Sequence, residues 1–201
     1  MHLKTSVYAA QIANLTDARY FAARGVEWLG FDCNPASPTY LPLEQSRAVR
    51  EWVDGVKIVA EFGQQSPPDV LFHLTELRPD ALLIPATLPE RDFELLNDQS
   101  RRLFVVVEHS DVTDWSVHLD EPRYQNAQFV LKAATFSEEL HRLVRELSGE
   151  YPIYLDVALT VPQLTDLPGR GIVVRGGEEE KVGYKSFDEL DELLDALEIL
   201  E

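Results

Sequence analysis

The sequence has little of several residue types. Cysteine occurs once, at Cys33, which excludes an internal disulfide and any multi-cysteine metal centre. The five histidines stand singly, with no pair at metal-ligand spacing, so neither a metal nor another cofactor is expected. No apolar run is long enough to cross a bilayer. The opening MHLKTSVYAA lacks the apolar centre of a secretory signal, so a cytoplasmic protein is expected. Positive charge is scarce: 18 Lys plus Arg stand against 35 Asp plus Glu, a formal net charge of −17. Such a surface is strongly hydrated and repels phosphate backbones and anionic membranes, so no nucleic-acid or membrane partner is expected. An anionic ligand would need a local positive site. There is no Gly/Ser linker, low-complexity tract, G-x-G-x-x-G turn or P-loop, and the chain reads as one domain spanning residues 1–201.

What recurs is a short apolar, β-branched run, then a polar turn, then a helical pattern. The runs are SVYAA, EWLGFDC, VKIVAEF, DALLIP, LFVVVEH, AQFVLKAA, PIYLDVA and GIVVRG. Eight of them, spaced about 25 residues apart, are separated by helices. After the third, Ser66-Pro67-Pro68-Asp69 places an N-cap, a proline at the first helical position and an acid in the first turn, and Val70, Leu74 and Leu77 line one face. Leu140, Leu143, Val144 and Leu147 repeat with helical period after the sixth. At the end, Ser186 and Glu189 form a capping box and Leu190, Leu193, Leu194 and Leu197 a buried stripe. The segments after the fifth and seventh runs are weaker and read as short helices or irregular. Helical crossovers require a parallel, helix-covered sheet. Eight βα units in 201 residues predict an α/β fold, a single (β/α)8 TIM barrel. An open doubly wound sheet is second, weakened by the missing glycine-rich turn.

A barrel of this kind carries its site at the C-terminal strand ends. In order these are Gln11, Asp32 with Asn34, Glu61, Pro85, Glu108 with His109, Lys132, Asp156 and Arg175. Lys132, Asp156, Glu108 and Asp32 are the candidate catalytic residues, acids and bases that neighbours can tune. Lys132 interrupts an apolar context and is read either as a Schiff-base nucleophile or as a structural lysine paired with Glu108 or Asp156. Cys33 is either a thiol nucleophile or a small buried residue, and His109 with Asp111 either an acid–base pair or a surface loop. Arg175, Gly176 and Gly177 form the candidate phosphate-binding turn, since glycines let backbone N–H groups approach an anion and the arginine adds charge. The acidic run Glu178-Glu179-Glu180 follows at once and opposes it.

Three stretches resemble the phosphoribosylanthranilate isomerase family of tryptophan biosynthesis. Val7 to Tyr40, VYAAQIANLTDARYFAARGVEWLGFDCNPASPTY, matches the family's opening pattern. VKIVAEFGQQSPPDVL resembles its third strand with the loop and helix that follow, and GIVVRGGEEEKVGYKSFDEL its closing pattern. The resemblance implies a barrel and an Amadori rearrangement in which a cysteine after the first strand is the general base and an aspartate after the sixth the general acid. Carried over, the base falls on Ala10, the glycine after it on Gln11, an arginine on Thr39 and the acid on Lys132. The family's glutamine-leucine-histidine-glycine becomes Leu83-Ile84-Pro85-Ala86, and its glycine pair after strand 7 becomes Val157-Ala158. Of the phosphate-binding parts, the strand-8 turn keeps Gly177.

Alanine accepts no proton, and lysine in place of an acid reverses the charge. General acid–base groups are worth roughly two to four orders of magnitude each. The expectation is therefore a divergent isomerase-like protein without the parent activity, either a pseudoenzyme or an enzyme with another small-molecule substrate, a phosphorylated one included. The alternatives are a working isomerase using other residues and an acidic protein-interaction module. Monomer and homodimer are both open.

Overall fold

The computed structural model describes residues 2–96, 101–108, 116–176 and 186–199. All eight apolar runs are strands: β1 Ser6–Ile12, β2 Trp28–Asp32, β3 Lys57–Glu61, β4 Ala81–Pro85, β5 Arg102–Glu108, β6 Gln128–Lys132, β7 Ile153–Asp156 and β8 Gly171–Arg175. Each pairs in parallel with the next, and β8 pairs with β1, so the sheet closes into an eight-stranded barrel. The helices are α1 Leu15–Ala23, α2 Leu43–Glu51, α3 Pro67–Leu77, α4 Glu90–Leu96, α5 Ser116–Leu119, α6 Glu138–Leu147 and α7 Asp188–Leu197. The two weak segments are the short α5 with a 3-10 turn at Pro122–Tyr124, and a 3-10 turn at Val161–Leu164. Among the described residues no helix is long and apolar enough to cross a membrane.

Because strand side chains alternate, each strand feeds two cores. Outward residues such as Val7, Ala9, Leu29, Phe31, Ile58 and Ala60 pack under the helices with Phe21, Val70, Leu74 and Val144. Inward residues fill the barrel, where Tyr8, Trp28, Phe104 and Tyr154 form an aromatic plug. Phe104 lies 5.5 Å from Tyr8, 5.1 Å from Trp28 and 5.5 Å from Tyr154, centroid to centroid. At the N-terminal end the plug is sealed by polar groups. Lys57 Nζ sits 4.8 Å over the Trp28 ring and 3.0 Å from Glu27 Oε1. The Ser6 hydroxyl donates to Glu27 at 2.5 Å and lies 2.8 Å from the Tyr154 hydroxyl. The barrel is therefore closed below and open above.

Local signals hold with two exceptions. Asn14 caps α1 by accepting the Asp17 N–H at 2.9 Å, and Ser137 caps α6 by accepting the Leu140 N–H at 3.1 Å. Ser66 stands at the N-cap of α3 but makes no backbone cap bond, because its hydroxyl turns to the Asp69 carboxylate. The capping box expected at Ser186 and Glu189 does not form. Phe187 is the N-cap residue of α7, and its ring stacks on Tyr20 at 3.9 Å between centroids, which sets the entry to the helix. Ser186 Oγ instead accepts the Asp188 N–H at 3.2 Å.

Candidate functional site

The C-terminal strand ends meet above the aromatic plug around a cavity of about 120 Å³. Its walls are apolar, from Ala10, Leu83, Val106, Val130 and Val173, and its polar atoms come from Tyr8, Gln11, Glu61, Lys132, Asp156 and Arg175. Ladder register explains the convergence. Glu108, Lys132 and Asp156 share one row across β5, β6 and β7, and Ala10 is level with Arg175 across β1 and β8. A cavity of about 450 Å³ outside the barrel is lined by Leu82, Ile84, Phe93, Leu96, Arg102 and Arg123 among others. It has no carboxylate among its lining residues, whereas Glu61 and Asp156 line the cavity at the barrel mouth.

Glu61 is the central group. It ends β3, points inward and is 8% exposed. Its Oε1 accepts the Tyr8 hydroxyl at 2.5 Å and the Gln11 N–H at 3.2 Å. The glycine at position 30 makes this possible: a Cβ there would sit 1.8 Å from Glu61 Oε1 and 2.7 Å from the Tyr8 hydroxyl. Burial pushes the Glu61 carboxyl up to about 7, against the pull of the Tyr8 and Gln11 hydrogen bonds, with Asp32 pushing further and Arg175 opposing. The Tyr8 phenol is raised well above its ordinary value, first by burial and then by Glu61. A carboxyl group poised near 7 in an apolar cavity can hold or release a proton at neutral pH.

Gln11 is held in an unusual backbone state. Its φ is +56°, a left-handed conformation that glycine adopts freely and side chains avoid. The register of β1 against β2 shifts between Ala9 and Ile12, a bulge at which the Gln11 N–H is directed to Glu61 Oε1 in the mouth. The resemblance places a glycine at this position, and the backbone here accounts for that preference. Gln11 also works through its side chain, whose Oε1 accepts Arg175 Nε at 2.9 Å.

Arg175 forks onto Asp156, Nη1 to Oδ1 at 2.5 Å and Nη2 to Oδ2 at 2.7 Å. The hydrogen bond to Asp156 holds the Arg175 guanidinium above its ordinary pKa against the opposing effect of burial. All three guanidinium nitrogens are thus engaged, by Asp156 and Gln11. In the candidate phosphate turn, Gly176 follows β8, while Gly177 and the acidic run after it lie outside the described residues. The groove beside the turn is lined by Asp188 and Glu189 in the first turn of α7.

The other candidates separate. Lys132 Nζ pairs with Glu108 Oε1 at 3.1 Å, and their side chains are 53% and 74% exposed. They form a solvated rim, and the buried Asp156 takes Arg175 rather than Lys132. Asp32 is committed to its own loop: Oδ1 accepts the Asn34 N–H at 2.9 Å and Oδ2 the Thr39 hydroxyl at 2.6 Å. It does not line the cavity. Cys33 is fully buried, its thiol pushed up to about 12 by burial, and its Sγ donates to the Phe31 carbonyl. It is the small core residue of the two readings. His109 and Asp111 lie outside the described residues. Ala10 lies at the cavity wall, 4% exposed. Among the described residues no group of three or more His, Cys, Asp or Glu is placed to hold a metal.

Strand-end position alone does not single out Glu61, and Tyr8 lies too deep in β1 to count as a strand end. A signal existed. In VKIVAEF, Glu61 has the inward parity of Val59, and the neighbouring strand carries Gly30, the kind of glycine that marks a close approach within a sheet.

No protein-family model matches the chain, and no curated protein sequence matches it. Solved structures do. A phosphoribosylanthranilate isomerase in complex with reduced 1-(o-carboxyphenylamino)-1-deoxyribulose 5-phosphate superposes with a TM-score of 0.78 and 20% identity over 96% of this chain and 98% of that one. The Thermus thermophilus phosphoribosylanthranilate isomerase gives 0.77 and 22% over the same shares. A 3-hexulose-6-phosphate synthase gives 0.69 and 12% over 96% of this chain and 100% of that one. From one end of the ladder to the other, the chain has the fold of the phosphoribosylanthranilate isomerases, a single (β/α)8 barrel.

Proposed function

We propose that this chain is a diverged relative of the phosphoribosylanthranilate isomerases that binds a small molecule at the C-terminal mouth and does not perform the Amadori rearrangement. One observation carries the reading: where the resemblance places the general base, the cavity wall is the methyl group of Ala10. On the opposite side, where it places the general acid, stands the exposed Lys132–Glu108 pair. A binding role is supported by the apolar cavity with its few converging polar groups together with the groove of about 900 Å³ that shares Lys132, Asp156, Val173 and Arg175 with it, since concave apolar sites with a few placed polar groups are the form that ligand sites take. A phosphorylated ligand would have to draw Arg175 away from Asp156, and it would meet Asp188 and Glu189 in the groove.

The second reading is a working isomerase with a relocated base. Glu61 favours it, since it puts a proton acceptor near 7 into the same cavity from β3 instead of β1. A fluorescence assay with phosphoribosylanthranilate, beside rescue of a tryptophan-requiring strain, separates the two. The first reading expects no turnover and no rescue by the unaltered chain. Turnover that is abolished by Glu61→Gln would replace it with the second. Ala10→Cys combined with Lys132→Asp is expected to remain inactive, because the binding groups have changed together with the reacting ones.

A further inference from the structure

We infer that the mouth cavity is a binding site for a small primary amine in its ammonium form, held against the free oxygen of Glu61. The inference rests on the ligand-binding reading above and names the charge of the ligand.

The Glu61 carboxylate is more than nine-tenths buried, and both of its donors among the described residues, the Tyr8 hydroxyl and the Gln11 N–H, go to Oε1. Among the described residues no donor reaches Oε2, and the carboxylate lines the cavity. Arg175 acts on it only from a distance, its guanidinium nitrogens being taken by Asp156 and Gln11, and a buried carboxylate with no cation in hydrogen-bond contact is costly unless it is protonated or a ligand supplies the charge.

The surrounding charges favour a cation. From β1 come the neutral Tyr8 and Gln11, and from β2 comes Asp32. From β4 comes apolar Leu83. Glu108 on β5 and Lys132 on β6 neutralise one another, as do Asp156 on β7 and Arg175 on β8. Among the described residues what is left over is Glu61 and Asp32, both negative, and beyond the rim Asp188 and Glu189 of α7 add to them. An anion entering this field is repelled and a cation is drawn in. A metal ion is poorly served by a single free carboxylate oxygen, since hard cations take six or more oxygen ligands. An ammonium group needs only one strong acceptor, and the apolar walls suit an alkyl stem. At about 120 Å³ the cavity has room for roughly four non-hydrogen atoms.

Linkage fixes the pH dependence. The ammonium group requires ionised Glu61, so binding drives the proton off that carboxyl. With Glu61 titrating at about 7, affinity should rise about tenfold from pH 6 to pH 8.

The test is an NMR titration of the full chain with four probes, propylammonium, 1-propanol, propionate and inorganic phosphate, at pH 6 and pH 8. Propylammonium is expected to bind in preference to the other three and to bind about tenfold more tightly at pH 8. At pH 6.5 its saturation should shift the Glu61 carboxyl carbon to the ionised position, a measurement that needs no variant. Glu61→Gln should weaken the amine at least tenfold, and Val130→Phe, which fills the cavity and leaves Glu61 in place, should do the same. Tighter binding of propionate or phosphate overturns the charge assignment and leaves the ligand-binding reading standing. Equal binding of the amine by Glu61→Gln, or an unmoved Glu61 carbon at saturation, overturns the site. Binding of none of the four overturns the amine assignment, and a metabolite panel on the native protein then decides the broader reading separately.

Discussion

Tyr8 and Glu61 are joined across the barrel by a 2.5 Å hydrogen bond from β1 to β3 that passes over β2 at Gly30. It is one of two bonds on the carboxylate. Removing the hydroxyl with Tyr8→Phe leaves Glu61 Oε1 with the Gln11 N–H alone. The variant should lose about 1–3 kcal/mol of stability and titrate Glu61 at a higher pH than the native chain. Carboxyl-carbon NMR and denaturant melts report the two effects.

Glu61 also makes stability depend on pH. Its folded value of about 7 lies above the ordinary 4.5, so between the two the native state holds a proton that the unfolded chain has released. The group's contribution is fully present below about 4.5 and is lost as pH rises through 7, a change of up to ~3 kcal/mol. Denaturant midpoints at pH 5 and pH 8 should therefore converge in Glu61→Gln relative to the native chain. A native slope identical to that of the variant would rule this out.

Gly30→Ala should destabilise by about 1–3 kcal/mol, because the new methyl group would occupy the place of the carboxylate. The diagnosis lies in a double-mutant cycle. In a Glu61→Ala background the same substitution should cost much less, and a purely additive result would mean that the two sites do not compete.

Asp156→Ala frees the Arg175 guanidinium toward the mouth. Inorganic phosphate should bind this variant more tightly than the native chain, and the gain should fall as salt rises. Calorimetry at two ionic strengths checks both statements.

Much of this was legible in the residues. The eight strands stand out because each is a short, mostly apolar run with buried residues on both faces, and the helices between them left only a parallel sheet. α5 and the 3-10 turn at Val161–Leu164 were harder to see because they are too short to show a period. The row of Glu108, Lys132, Asp156 and Arg175 was visible as strand ends, but their partners were not. Lys132 has an acid beside it on each neighbouring strand, and its pairing with Glu108 follows from Arg175 reaching Asp156 with two nitrogens at once. The commitment of Asp32 to Thr39 and Asn34 depends on the path of a loop. Glu61 stands among the strand ends in the sequence, but its significance comes from Tyr8, Gln11 and Gly30 on two other strands.

The bond over Gly30 has a mechanical side as well. It fastens β1 to β3 without going through the ladder, so three adjacent strands are tied together at the base of the mouth. The aromatic plug presses against the same strands from beneath. A floor braced in this way does not reshape itself around a guest. Selection at this mouth should then rest on size and charge that are already in place, with little conformational adjustment after entry.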